Sequence, residues 1–152
     1  MSTPSVAALV TAIRDQMSTA ISPALADDGP KKLLAVIDHL LQTIEVRSEH
    51  EIDWMVGHIA DVVELAERFV AGGAAPEPVA AALQRYHEGQ RPGLTASVVT
   101  ANFALAAEVL STMLDATAAD NGEIAVAAKE LMTRDVQRGV EIVGDDFELV
   151  PP

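Results

Sequence analysis

The side chains best suited to chemistry lie in one stretch, residues 48–71, where a helix is predicted. Two histidines and three carboxylates fall on its polar arc: His50, Asp53, His58, Asp61 and Glu64. The histidines are eight residues apart, whereas metal ligands on one helix normally lie three, four or seven apart, and neither His-Glu-x-x-His nor Glu-x-x-His occurs. This spacing is typical of a solvated face. It predicts no metal site and no cofactor.

Two polar residues instead occupy positions where an apolar side chain is expected. Asn102 lies on the apolar face of one predicted helix, and Asp135 lies on that of another. A buried amide needs hydrogen-bond partners, and a buried carboxylate needs a cation, which Arg138 or Arg14 could supply. These residues form either a satisfied structural network or the polar contacts of a ligand groove.

Short motifs of catalysis are missing from the sequence. It has no glycine-rich phosphate loop, no Gly-x-Ser-x-Gly and no kinase signature. None of the four histidines is convincingly paired with a serine nucleophile. The sequence therefore favours a non-catalytic protein and predicts no catalytic residue.

Composition restricts the class of partner. The formal net charge is −13, which argues against nucleic acid and against anionic membranes, because both are bound through Lys and Arg. The N-terminus has no basic segment of a signal peptide, and no run of about 18 uncharged apolar residues is long enough to cross a membrane. We expect a cytoplasmic protein. Without cysteine, the 152 residues need an ordinary apolar core, and 49% of them are hydrophobic.

Apolar periodicity and Pro/Gly breaks predict an all-α antiparallel helical bundle. About six helices are expected, at residues 4–20, 30–47, 48–71, 78–88, 96–119 and 123–139. Ser48 and Glu51 match a capping box, which is why the second and third helices are separated there. The buried stripes of the first two helices are predicted to contain Val6, Leu9, Val10, Ile13, Met17 and Ala20, and then Leu33, Leu34, Ile37, Leu40, Leu41 and Ile44.

The bundle domain is predicted to span residues 1–139, followed by an acidic and apolar tail, residues 140–152. The tail includes Phe147 and Leu149, which either lie in a partner's groove or fold back onto the bundle. Trp54 either contacts a partner or flanks the core, since tryptophan is enriched at binding hot spots.

The first third of the chain resembles a family of small helical proteins encoded beside aminoglycoside-phosphotransferase-like kinases and acyl-CoA-dehydrogenase-like flavoenzymes. The similar segments are residues 8–14, the step Ser22-Pro23-Ala24-Leu25 and residues 33–47. The family's second helix usually carries an Asn and ends in Arg-Glu, whereas here Arg47 precedes Ser48 and the Asn is absent. The resemblance implies an accessory subunit that helps a kinase act on a hydroxyacyl-CoA. It transfers no catalytic residue to this chain.

Two functional hypotheses follow. The first is a non-catalytic accessory subunit that binds a partner protein; a homodimer whose interface uses the third or fifth predicted helix is compatible with either hypothesis. The second is a small-molecule-binding module or minor enzyme with a pocket between helices, lined by Asn102 and Asp135, with Arg14 as a further candidate contact.

Overall fold

The first helix does not end at a clean break but continues into one wider helical turn and then one tighter turn. The computed structural model describes residues 4–119 and 122–143, with the backbone alone at 141–143. Helix α1 spans Val6–Gln16, and the hydroxyl of Ser5 caps it by accepting the N–H of Ala8 at 3.1 Å. A π-helical turn, Met17–Ile21, and a 3-10 turn, Ser22–Ala24, follow before Leu25 is extended. Pro23 lies within the 3-10 turn, where its missing N–H is tolerated.

Helix α2 spans Asp28–Ala71 without interruption, so the predicted break at Ser48 is wrong. The hydroxyl of Ser48 donates to the carbonyl of Glu45 at 2.8 Å, instead of accepting an N–H as a cap would. Arg47 and Glu51 form an ion pair one turn apart, which supports the helix across this point. No glycine or proline lies nearby to stop it. The capping pattern is overruled by continuous helix-forming sequence.

The predicted stop at Gly72-Gly73 is confirmed by the structure. The N–H of Gly72 donates to Arg68 and that of Gly73 to Val70, both at 3.0 Å. Gly73 has φ +71°, the left-handed conformation in which glycine commonly ends a helix.

Three further helices follow: α3 at Glu77–Gly89, α4 at Ala96–Ala116 and α5 at Glu123–Val143. The described residues are thus all-helical with five α-helices, not six, and no strand occurs among residues 4–119 and 122–143. The count falls short because two predicted helices are one.

The described chain divides into two compact units. One unit is Ile52–Gly139, and the other takes the described residues before and after it. The core of the Ile52–Gly139 unit is made by the second half of α2 with α3, α4 and α5. Its fully buried side chains are non-aromatic, as the low aromatic content of 3% leads one to expect, and all but Met113 are small: Val62, Ala66, Val79, Val99, Ala106, Val109, Met113 and Ala128.

Polar contacts fix the direction of the helices within the Ile52–Gly139 unit. On α3 and α4, Arg85 pairs with Glu108 at 2.6 Å, and a Cβ built on Gly89 would lie 3.0 Å from Leu105. These pairs show that α3 and α4 are antiparallel. Helices α2 and α5 are antiparallel as well, because Arg68 pairs with Glu123 at 2.7 Å while Arg134 pairs with Asp61 at 2.8 Å.

Candidate interaction surface

Arg14 holds α1 against the first half of α2. Its Nε donates to Asp38 Oδ1 at 2.8 Å and its Nη2 donates to Asp38 Oδ2 at 3.2 Å, so the ion pair is bidentate. Its Nη1 donates to Glu45 Oε2 at 3.0 Å, and Thr11 Oγ1 donates to Glu45 Oε1 at 2.7 Å. Asp38 and Glu45 are seven residues apart and so lie on one face of α2. Arg14 was predicted as a binding residue or as the cation for Asp135; the structure pairs it with these two carboxylates.

These contacts stabilise the charged forms of all three groups. The hydrogen bonds from Arg14 lower the pKa of Asp38, although desolvation opposes the shift. The hydrogen bond from Thr11, followed by that from Arg14, lowers the pKa of Glu45. The pKa of Arg14 is raised, chiefly by its hydrogen bond to Asp38. Each charged group of this cluster therefore has a partner of opposite charge within the protein, although two carboxylates share one guanidinium.

A cleft of about 510 Å³ lies beside this ion-pair cluster. It is lined by polar and apolar residues of α1, the π-helical turn, the 3-10 turn and α2, including Asp15, Ser18, Ser22 and Lys31. Arg14 also lines the cleft, but its guanidinium is already bound by two carboxylates. The cleft thus offers no uncommitted guanidinium to an anionic ligand.

The opposite side of the α1–α2 pair is apolar and exposed. We define the hydrophobic face as seven aliphatic residues whose exposed fractions run from 39% for Ile37 to 62% for Leu33. Three belong to α1 and four to the first half of α2: Val6, Leu9, Ile13, Leu33, Ile37, Leu40 and Ile44.

All seven were predicted to be buried, and that prediction is wrong. The buried residues here are Ala7 and Val10 of α1 and Met17 of the π-helical turn, which lie on the adjacent arc. Each of the two helices has an apolar arc wider than a single neighbouring helix can cover. The width of these arcs indicates that each helix needs more cover than one neighbour gives, but it does not show what supplies that cover.

Asn102 lies in the second turn of α4 and fixes the loop that joins α3 to α4. Its Oδ1 accepts the backbone N–H of Arg91 at 2.9 Å, and its Nδ2 donates to the Arg91 carbonyl at 2.9 Å. Both polar groups of the half-buried amide are therefore engaged by backbone. This geometry matches the structural network considered from the sequence. The ligand-binding role of Asn102 stays a prediction.

Asp135, half-buried on α5, belongs to a charged cluster around His58. The His58 ring is only 3% exposed and lies against Phe103, with centroids 5.2 Å apart. Burial lowers the pKa of His58, and the cluster modulates the shift: Asp135 and Asp61 raise the pKa, whereas Arg138 and Arg134 lower it. His58 was predicted to lie on a solvated face; the structure buries it.

Trp54 is half-buried, and its carbonyl accepts a hydrogen bond from Arg138 Nη1 at 3.3 Å. This contact places Trp54 beside α5, while its role in contacting a partner stays a prediction. Phe147 and Leu149, the other predicted contact residues, lie outside the described residues.

Two features of the described residues concern metal and membrane. No group of three or more His, Cys, Asp or Glu side chains in residues 4–119 and 122–143 is arranged to hold a metal ion. Helix α4 is long and apolar enough to cross a membrane by length and composition alone. Of its most apolar 18 residues 28% are buried, among them Val99, Ala106, Val109 and Met113 in the core of the Ile52–Gly139 unit.

No family model matches this chain, and no curated protein and no solved structure matches it either.

Proposed function

We propose that this chain is a non-catalytic accessory subunit, an antiparallel helical bundle that binds another protein chain through the hydrophobic face. The observation that carries the proposal is the exposure of seven aliphatic side chains on one side of α1 and α2. Exposed aliphatic residues are normal when scattered singly, but a contiguous patch of this kind marks an interaction site.

The chemistry of the face favours a protein over other ligands. It has no Lys or Arg for nucleic acid or an anionic membrane, and the chain as a whole carries a net charge of −13. Aliphatic residues spaced three and four apart along two neighbouring helices suit the apolar side of another helix. The polar groups that could have bound a small molecule, Arg14 and Asn102, are engaged within the protein.

The resemblance of the first third of the chain to kinase-associated helical proteins supports one partner class, a kinase that acts on a hydroxyacyl-CoA. The similar segments include residues 33–47, which contain four residues of the hydrophobic face. If such a kinase is the partner, adding this chain raises its turnover, and Leu40→Glu abolishes the increase. A kinase that works equally well with and without the chain contradicts this partner.

Site-specific photo-crosslinking in cells tests whether the face binds protein at all. A photoreactive benzoylphenylalanine replaces Leu40 in one variant and Leu94 in the other. Leu94 is a matched control because it is 71% exposed but lies in the loop between α3 and α4. We expect a discrete protein adduct from position 40 and not from position 94. Equal or absent crosslinking at the two positions contradicts the proposal.

A further inference from the structure

We propose that the hydrophobic face binds a second copy of this chain, so that two α1–α2 pairs pack as a four-helix interface. This inference rests on the proposed function and names the partner. It follows from the geometry of the face, its area and its charge.

The geometry of the face suits an identical partner. Helices α1 and α2 are antiparallel, because Thr11 and Arg14 of α1 contact Glu45 and Asp38 of α2 respectively. Their exposed aliphatic residues recur at spacings of three and four, so each helix presents one stripe along its length. A two-fold axis through the face would lay the two stripes of one copy against those of the other. The result is the interior of a four-helix bundle, with the same patch used by both copies.

The area is sufficient for a stable dimer. A fully exposed aliphatic residue presents somewhat under about 200 Å², so seven residues near half exposure offer on the order of 600 Å² of mostly apolar surface. A standard interface buries roughly 800 Å² per partner, of which about 60% is apolar. The face therefore contains the apolar area that one such interface needs, without any change in the fold.

The distribution of charge permits self-association at this face. Two copies with a net charge of −13 repel each other over most of their surfaces. Between Pro30 and Ile44, however, α2 carries a single carboxylate, Asp38, which is turned toward α1 and paired with Arg14. Residues 6–13 of α1 carry no charge. Apart from Lys31 and Lys32, which precede Leu33 at one end of the face, the face is thus the part of α1 and α2 where two copies can approach without bringing unpaired like charges together.

The first test is the mass of the purified full chain in solution, measured by light scattering after gel filtration. We expect twice the 16.0 kDa of one chain. Leu40→Glu places a carboxylate in the interface and should raise the dimer Kd at least about a hundredfold, leaving a monomer. Leu94→Glu, a matched change in an exposed loop, should remain dimeric. Circular dichroism verifies that both variants are helical.

A second measurement keeps the inference testable if Leu40→Glu fails to fold. The chain has no cysteine, so Ile44→Cys introduces a single thiol on the face and Leu94→Cys a single thiol in the loop. A short bismaleimide should link two copies through position 44 and not through position 94. A wild-type chain that stays monomeric up to about 100 µM, or equal crosslinking at both positions, overturns the dimer.

The failure of the dimer and the failure of the proposed function give different results. A monomeric chain whose position 40 crosslinks to a different protein in cells refutes the dimer and supports the protein-binding function. A monomeric chain with no adduct at position 40 refutes both. Adducts of position 40 with this chain itself, together with a dimeric mass, support both.

Discussion

Arg14 donates hydrogen bonds to the carboxylate of Asp38 from two of its nitrogens, at 2.8 and 3.2 Å, and to Glu45 from the third. One cation of α1 is thus bound to two carboxylates that lie seven residues apart on the same side of α2. The arrangement fixes which side of each helix faces the other. As a result, the remaining apolar arcs of α1 and α2 are both left outside.

The first prediction concerns this ion pair. Asp38→Asn keeps the shape of the side chain and removes its charge, so it should weaken the packing of α1 on α2. Because both partners are partly exposed, with side chains 29% and 43% accessible, solvent screening limits the loss to about 0.5–1 kcal/mol. Faster hydrogen exchange of the α1 amides should report it.

The pH dependence of the same pair has a defined sign. The pKa of Asp38 is lowered in the folded protein, so its contribution is present above the unfolded value of about 3.9. That contribution is lost as the pH falls through the lowered pKa.

The control for Asp38→Asn is Asp15→Asn, one residue from Arg14 along α1, which leaves the Arg14 pairs intact. Equal amide exchange in the two variants would argue that the pair does not hold α1.

The second prediction concerns His58, which is buried and has a lowered pKa. The unfolded chain takes up a proton near pH 6.5, whereas the folded protein resists it until a lower pH. Stability should therefore be complete above about pH 7 and should fall below it, by up to about 1.4 kcal/mol per pH unit. Urea unfolding at several pH values measures this slope.

His58→Phe should remove most of that slope between pH 7 and the lowered pKa, because an aromatic ring against Phe103 is retained without a proton site. His50→Gln is the control, since the His50 side chain is 53% exposed. If the wild type and His58→Phe lose stability in parallel as the pH falls, the acid sensitivity comes from other groups.

The third prediction concerns the loop that joins α3 to α4. Asn102→Ala removes both hydrogen bonds to the Arg91 backbone and should cost about 1–2 kcal/mol in the free energy of unfolding. Thermal shift with acyl-CoAs, nucleotides and hydroxy acids should give the same pattern for the variant and the wild type. A ligand that stabilises only the wild type would instead support the pocket predicted around Asn102.

The fourth prediction separates a helix interior from a helix start at Ser48. Within a continuous α2, Ser48→Ala should stabilise the protein by about 0.5 kcal/mol, because alanine has the higher helix propensity. At an N-cap, the same substitution would cost about 1 kcal/mol. Chemical denaturation decides between the two signs, with Ser97→Ala in the first turn of α4 for comparison.

The helical class and the core of the Ile52–Gly139 unit could be predicted from local signals. Glycine at 72–73 ended a helix where expected. The spacing of apolar residues predicts burial of Val62, Val109 and Leu131, which are buried, but also of Met132, which is 51% exposed. These signals are short in range, and nothing distant competes with them. The helix start predicted at Ser48 is wrong because the residue types of a capping pattern also occur in an ordinary helix interior.

The exposed hydrophobic face could not be predicted by periodicity alone. An apolar stripe shows that a helix needs cover but does not show whether its own chain supplies it. Leu33 and Leu40 therefore look the same in sequence as the buried Leu65 and Leu83. The pairing of Arg14 with Asp38 was missed for a similar reason. The two residues are 24 positions apart in the sequence, so whether they meet depends on how the two helices are oriented.

The hydrophobic face on so acidic a chain sets how the protein responds to ionic strength. Added salt shortens the Debye length from about 10 Å at 0.1 M to about 3 Å at 1 M and so screens the mutual repulsion of like-charged copies. The same salt leaves contacts between Leu33, Leu40 and their counterparts undiminished, and sulfate strengthens them. Association through this face should accordingly tighten in concentrated salt, the reverse of an assembly joined by ion pairs. Dilute buffer is then the condition under which the free chain is most readily obtained.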